Sequence, residues 1–501
     1  MYDYIEINTD NVSKPTEANS ICDSREGAAK SFANNSGNEL SIAVITYNRL
    51  DKTKVCVEHL IRNTEVPYHL FLIDSGSGPE VLEYYKAVKH PQKTIIRITN
   101  NINANYSFWV AKQHLNSRYC AIISNDVVVT KNAIANLLTC IKSANNIGWV
   151  SPVCSNISNR QQVLLPFHSI EEMNDVATSY NISNPLKWEE RLMLMPAIFF
   201  YKKECIDIVG GFDYGFFHDF ADDDMARRMN RAGYKTILCK DTWVHHDHIY
   251  HSTPQDTAKL NSSLTMGRKN FAEKYFGLDA WDDFRNYEME VTSLIEKPNK
   301  TTWVPSILGI DTRCGTPILD VRNKLREFGI TQTASYAFTT KAKYFLDLQT
   351  ICEKVTCDRI DFLYDYYEKN SFDYMILGEP INTYDKPFHL LEKLFSLIKD
   401  NGTFLFKLRN TSNQNNLMYS LGNIEKCSLE ESALCISFES IHEYIQEMGA
   451  KLHQILVMQE PLYPDAAKIL DVVSENVISP SFKEIALPRL ITKDYLFCIR
   501  K

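Results

Sequence analysis

The 501-residue chain has no apolar run long enough to cross a bilayer, so a membrane-spanning helix is not expected. Its opening stretch, MYDYIEINTDNVSK, lacks a basic region followed by an apolar core, so a signal peptide is not expected either. A close Cys-x-x-Cys pair is missing. The thirteen cysteines are scattered, and the nearest two, Cys352 and Cys357, lie in a mixed polar segment. That pattern argues against a zinc ribbon or disulfide framework and for reduced thiols, hence a cytoplasmic location. Basic excess is also lacking: a net charge of −8 gives no electrostatic case for a nucleic-acid partner.

What is present is an ordinary globular composition on a chain too long for one core, which implies two domains. Residues 1–38 are polar, with Asn, Ser and Gly clusters, and are expected to form a loosely packed arm. Ordered structure is expected from LSIAVITYNRL, where the run Ile42–Ile45 predicts a buried strand. HLFLIDSGSG, TIIRIT and SRYCAIISNDVVV predict three more strands, with helical segments between them. Such alternation makes a parallel sheet covered on both faces, and ligands bind at the carboxyl ends of its strands. Thr46, Asn48, Asp74, Asn125 and Asp126 stand at those ends. Asp and Gly also favour turns for purely local reasons, so the case rests on their joint position.

The segment from Cys154 to about Glu190 reads as a long irregular loop, of the kind that is usually functional or mobile. IVGGFDYGFFHDFADDDMARRMNRAGY follows, with a Gly-Gly turn, three consecutive carboxylates and a basic helix ending near Gly233. A turn entering that helix can aim Asp222 into a cleft while Asp224 caps the helix, or the acids can simply favour the helix dipole. Next, a strand ends in His245, His246 and His248, with His251 beyond, and histidines in such a cluster can bind a metal.

The order VITYNR, LIDSGSG, IISNDV, GGFDYGFF, ADDDMARRMNRAGY, VHHDHIYHS and RKNFAEKYFG resembles the family 2 glycosyltransferases of the GT-A fold, over about half the chain. The resemblance implies an inverting enzyme that uses a nucleotide-sugar donor and a divalent metal, manganese or magnesium. Thr46, Tyr47 and Arg49 would line the nucleotide pocket and Asp74 would bond the base. Asp126 would hold the metal, with Asn125 beside it, and one of His245, His246 or His248 would be a late metal or diphosphate ligand. Asp222 would be the general base, with Asp213 on the substrate side and Asp224 and Arg228 supporting the helix. The acceptor would be a hydroxyl on a glycan, a lipid-linked glycan or a protein such as flagellin; peripheral membrane contact stays open.

Three departures stand out. The acidic metal motif reads Ser124-Asn125-Asp126, and Ala221 replaces the glutamate before the base. NNINANYSFWVAK carries no glycine, leaving Asn101, Asn103 or Asn105 to face the donor.

After a linker with Pro298 and Pro305, alternating strands and helices return. IDTRCGT, FDYMILGEPIN and LFSLIKDNGTFLFKLRN resemble a methyltransferase-like Rossmann domain. In its glycine loop Asp311, Gly315 and Thr316 fit, but Arg313 and Pro317 replace two glycines. A side chain where a ligand needs bare backbone, and a proline without an N–H, predict lost or weakened S-adenosylmethionine binding. The expected α/β fold thus has a GT-A domain at 39–280, a helical linker at 281–304 and a non-catalytic Rossmann-like domain at 305–501. A bifunctional glycosyltransferase and methyltransferase, or a non-catalytic scaffold, are the alternatives.

Overall fold

The run Ile42–Ile45 is buried inside a strand, Leu40–Thr46, whose neighbours on both sides run parallel to it. It stands near the middle of the first of two sheets in the computed structural model, which describes residues 2–12, 38–213, 216, 219–248, 254–299, 302–420, 433–476 and 481–501. Two compact units divide the chain, residues 1–285 and 286–501.

The strands of the first unit are Asp3–Ile7 (β1), Leu40–Thr46 (β2), His69–Ser75 (β3), Lys93–Ile98 (β4), Tyr119–Ser124 (β5), Val127–Val128 (β6), Ile147–Cys154 (β7), Trp188–Arg191 (β8), Ile198–Lys202 (β9) and Lys235–His246 (β10). Their order is β1-β4-β3-β2-β5-β9-β7-β10-β6, with β8 on β10. The first five are mutually parallel, and β9 runs antiparallel between β5 and β7. Register sets Thr46 beside Asp74 and Ile45 beside Ser124, so the carboxyl ends of β2, β3 and β5 lie side by side. The helix Leu50–Asn63 covers this part of the sheet, burying Thr53, Cys56, Val57 and Leu60 at helical spacing.

Three expectations differ from the structure here. The opening arm is not wholly loose: Asp3–Ile7 pairs along its whole length with β4, backbone bonding having more weight than its polar side chains. The rest of that arm, 13–37, lies outside the described residues. The segment after Cys154 is not structureless either, since it holds the helix Ile170–Tyr180. Ser169 accepts from the Glu172 amide, and Glu172 accepts from the His168 amide, a reciprocal cap that starts this helix. Finally, Asp224 does not cap its helix. That helix, Ala221–Arg231, is preceded by Phe220 in the left-handed region (φ 71°) with no side-chain cap, and Asp224 sits one turn inside. Gly233, at φ 87°, closes the far end as expected.

The second unit has strands Ser306–Ile310 (β11), Ala334–Thr339 (β12), Lys354–Cys357 (β13), Phe372–Leu377 (β14), Ile398–Arg409 (β15), Lys451–Gln459 (β16) and Thr492–Arg500 (β17). Their order is β13-β12-β11-β14-β15-β17-β16, with β17 antiparallel to both neighbours. This is a doubly wound, Rossmann-like arrangement, in which the order reverses at β11. Asp400-Asn401-Gly402 forms an irregularity inside β15, with Asn401 at φ 63°. Within 281–304, read as a helical linker, the one named helix among the described residues is Met289–Thr292.

Candidate active site

Past the end of β2 the backbone is strained. Asn48 (φ 55°) and Arg49 (φ 54°) both occupy the left-handed region, which costs free energy for residues with side chains. Three contacts hold them there. Ser77 accepts from the Asn48 amide at 2.8 Å, the Gly78 amide reaches the Asn48 side chain at 3.4 Å, and Asn125 donates to the Asn48 carbonyl at 3.3 Å. Asn125 also donates to Thr53 at 3.0 Å. Gly76 allows the close turn after Asp74, since a Cβ there would lie 2.6 Å from the Asn101 amide nitrogen. Tyr47 and Arg49 are about half exposed, whereas Thr46 is fully buried and accepts from Tyr85. Asp74 is fully buried too, ion-paired with Arg97 and accepting from the Ser77 amide at 2.8 Å. The strand ends therefore offer Tyr47 and Arg49 to a ligand, and keep Thr46 and Asp74 inside.

At the end of β5 the chain turns back into β6, whose Val127 pairs with His246 at the end of β10. The Asp247 amide bonds the Asp126 carbonyl at 2.8 Å. This pairing sets Asp126 against His246 and His248, whose Nε2 and Nδ1 lie 3.5 and 3.7 Å from its two carboxylate oxygens. One ligand atom from each of the three residues falls within 4.8 Å of the others. Arg49 stands 3.9 Å from the same carboxylate. Burial pushes Asp126 up, but the two histidines override it and hold the carboxyl well below its usual range. Burial disfavours charge on His246, and Asp126 again wins, raising the imidazole to about 10.

The cluster suits a divalent cation. Asp126 Oδ1 is buried with no hydrogen-bond partner among the described residues. His246 Nδ1 lies 2.7 Å from the Asn156 carbonyl, which fixes Nε2 as the nitrogen facing Asp126. His245 points elsewhere: it bonds Ser155 at 2.8 Å and packs on Phe167. His251 lies outside the described residues.

The helix Ala221–Arg231 carries three acids in three different settings. Asp223 is buried and takes both its bonds from Arg285, at 2.5 and 2.8 Å. Asp224 is buried and ion-paired with Arg228 (2.9 Å) and Lys274 (2.7 Å), and Tyr275 donates to it. Lys274 also bonds Asp213 at 2.8 Å, and Arg228 donates to the carbonyls of Val209, Gly210 and Gly211. Asp213, Asp224 and Arg228 are thus buried in a network that braces the Gly-Gly turn; they do not form a substrate-facing surface. Asp222 is half-buried, and among the described residues no side chain bonds it. Burial and the adjacent Asp223 charge push its carboxyl up to about 7, against the pull of Arg285. Phe220, stacked on Trp281, anchors the entry to this helix, and Gly267 leaves room for its ring.

The helix Ala104–His114 links the two regions. Ser107 bonds Ser75 beside Asp74, and Asn105 donates to the carbonyl of Phe216 ahead of the acidic helix. Asn103 caps the same helix through the Tyr106 amide, and Asn101 accepts from Ser75. All three asparagines suggested for the donor have structural partners. Tyr214, Gly215 and Phe217 lie outside the described residues. Lys274 and Arg285 were not anticipated as site-supporting residues, although Lys274 lies in the RKNFAEKYFG motif.

In the second unit a cavity of about 380 Å³ opens at the strand ends, lined by Asp311, Thr340, Lys341, Tyr344, Glu379 and Tyr384 among others. Asp311 accepts from the Thr340 amide and hydroxyl and from Tyr384, and Arg313 donates to Glu379 at 2.9 Å. A Cβ on Gly315 would lie 2.3 Å from Ile351, whose side chain fills that position.

The first unit thus carries an acid–histidine cluster at its strand ends and, on a nearby helix, a carboxylate with no side-chain partner among the described residues. Residues 41–217, within the first unit, match the glycosyl transferase family 2 model. The chain is 23% identical to the O-antigen chain rhamnosyltransferase WbaN of Salmonella anatum, over 49% of this chain and 77% of that protein. It is equally identical to rhamnosyltransferase RfbN of Salmonella typhimurium, over 54% and 85%. Among solved structures it is similar to the mannosyltransferase PcManGT from Pyrobaculum calidifontis in complex with GDP-Man and Mn2+ (16% identity, 50% of this chain, 70% of that chain, TM-score 0.36). It is also similar to a SAM dependent methyltransferase from Archaeoglobus fulgidus (15% identity, 46% and 98%, TM-score 0.30). No helix among the described residues is long and apolar enough to cross a membrane.

Proposed function

We propose that this protein is an inverting glycosyltransferase that moves a sugar from a nucleotide-diphosphate donor to a glycan hydroxyl. The observation that carries the reading is the Asp126–His246–His248 cluster with Arg49 beside it. One carboxylate and two imidazoles suit manganese better than magnesium, because imidazole is a softer ligand than water or carboxylate. A divalent cation held by these three would offset the charge growing on the departing diphosphate. Arg49 faces the same charge and Tyr47 is open to the nucleotide. Asp222 takes the proton from the attacking hydroxyl, a role for which its unpaired carboxylate, raised to about 7, is suited near neutral pH. A single displacement with one base inverts the anomeric centre.

The rhamnosyl transfer named for its relatives makes a nucleotide-diphosphate rhamnose the first donor to test. Transfer or hydrolysis of that donor is measured with manganese and with a chelator, in the wild type and in Asp222→Asn. The reading requires manganese-dependent turnover that the substitution removes. The second unit, residues 286–501, is read as non-catalytic, because Ile351, Arg313 and Pro317 occupy what a nucleotide-binding glycine loop would leave open.

A further inference from the structure

We infer that Lys52 is a positioning residue for His248, and through it for cation affinity. The inference rests on the cation reading of the Asp126 cluster. Lys52 stands in the first turn of the helix Leu50–Asn63, where the helix dipole disfavours a cation. Its side chain is nonetheless drawn in, only 13% exposed, and it reaches nearly 200 residues along the chain to Asp247. There it donates to the backbone carbonyl and ion-pairs with the carboxylate at 3.1 Å.

Asp247 is the residue between the two histidines. His246 is held without help from Lys52: it pairs with Val127 in the sheet, its amide bonds Ser155 at 3.0 Å, and its ring is set by Asn156. His248 lies beyond the strand's last residue and is 40% exposed. Its backbone is gripped by Asn156 at 3.3 Å on one side and, one residue back, by Lys52 on the other. The same helical turn touches the rest of the site, since Arg49 faces Asp126 and Thr53 takes Asn125. Groups that hydrogen-bond a metal ligand directly commonly change metal affinity about 10- to 100-fold when removed; Lys52 acts one residue away from His248, so the lower end of that range applies.

The test is manganese titration of the full-length protein by electron paramagnetic resonance, in the wild type and in Lys52→Met, Lys52→Arg and His248→Ala. Melting temperatures confirm that each variant is folded. Lys52→Met is expected to weaken manganese binding about tenfold, and Lys52→Arg to restore most of it. In turnover assays the methionine variant raises the manganese concentration needed for half-maximal rate, and kcat recovers at saturation. Asp247→Ala, which keeps the backbone acceptor, gives a smaller loss in the same direction and serves if Lys52→Met does not fold. Manganese binding unchanged in Lys52→Met while His248→Ala loses it overturns the role of Lys52 alone. A wild type that binds no manganese overturns the cation reading and this inference together.

Discussion

Lys274 bonds Asp224 at 2.7 Å, while Asp222, two residues earlier on the same helix, receives no basic side chain among the described residues. Neighbouring carboxylates are thereby assigned opposite work. Asp224 is neutralised to brace the fold, and Asp222 is the carboxylate proposed as the base. Because the Lys274 ammonium is mostly buried between Asp213 and Asp224, Lys274→Met removes a cation that both acids share, although Asp224 keeps Arg228. Breaking such a pair costs about 3–5 kcal/mol. A large drop in the denaturant midpoint is expected, and an unchanged midpoint would show that the network contributes little.

Asp222 makes its own prediction through pH. With a carboxyl near 7 in the fold and near its ordinary value when unfolded, the native state binds the extra proton between those limits. Stability from this group therefore falls as pH rises from about 4 through 7. Asp222→Asn removes that penalty. The variant should melt higher than the wild type at pH 8 and at the same temperature at pH 4. The wild-type rate should rise with pH through about 7, as base catalysis requires. A rate profile flat from pH 5 to 8 would count against Asp222 as the base.

The three histidines should separate cleanly. His246→Ala and His248→Ala lose manganese affinity, measured by resonance titration, because each removes a nitrogen facing Asp126. His245→Ala keeps it, because that ring bonds Ser155 and packs on Phe167. Equal losses in all three variants would mean that the strand end as a whole, and no particular ring, sets the affinity.

In the second unit, calorimetry with S-adenosylmethionine should give no binding heat up to millimolar ligand, since Ile351 fills the space above Gly315. Micromolar binding would instead support a bifunctional enzyme.

Much of this site was legible in the residues themselves. Strand ends at Thr46, Asp74 and Asp126 followed from short apolar runs stopping at polar residues, and β2, β3 and β5 do lie adjacent. What periodicity could not reveal was which polar groups are already paired. Asp74 with Arg97, and Asp224 with Lys274, are partners brought together by the sheet and by a helix 50 residues away. The residues left a short strand at the very start open without deciding it, because DYIEI alternates polar residues on an edge strand and leaves no apolar run to read. The helix Ile170–Tyr180 was missed although its start, Ser169 to Glu172, carries a recognisable cap.

The central claim is sugar transfer at a cation site built by Asp126, His246 and His248. Release of nucleoside diphosphate from a nucleotide-diphosphate rhamnose, followed with manganese and after chelation in the wild type and in Asp126→Asn, tests it most directly. The account predicts turnover that needs manganese and is lost in the variant. Turnover that survives both chelation and Asp126→Asn would contradict it.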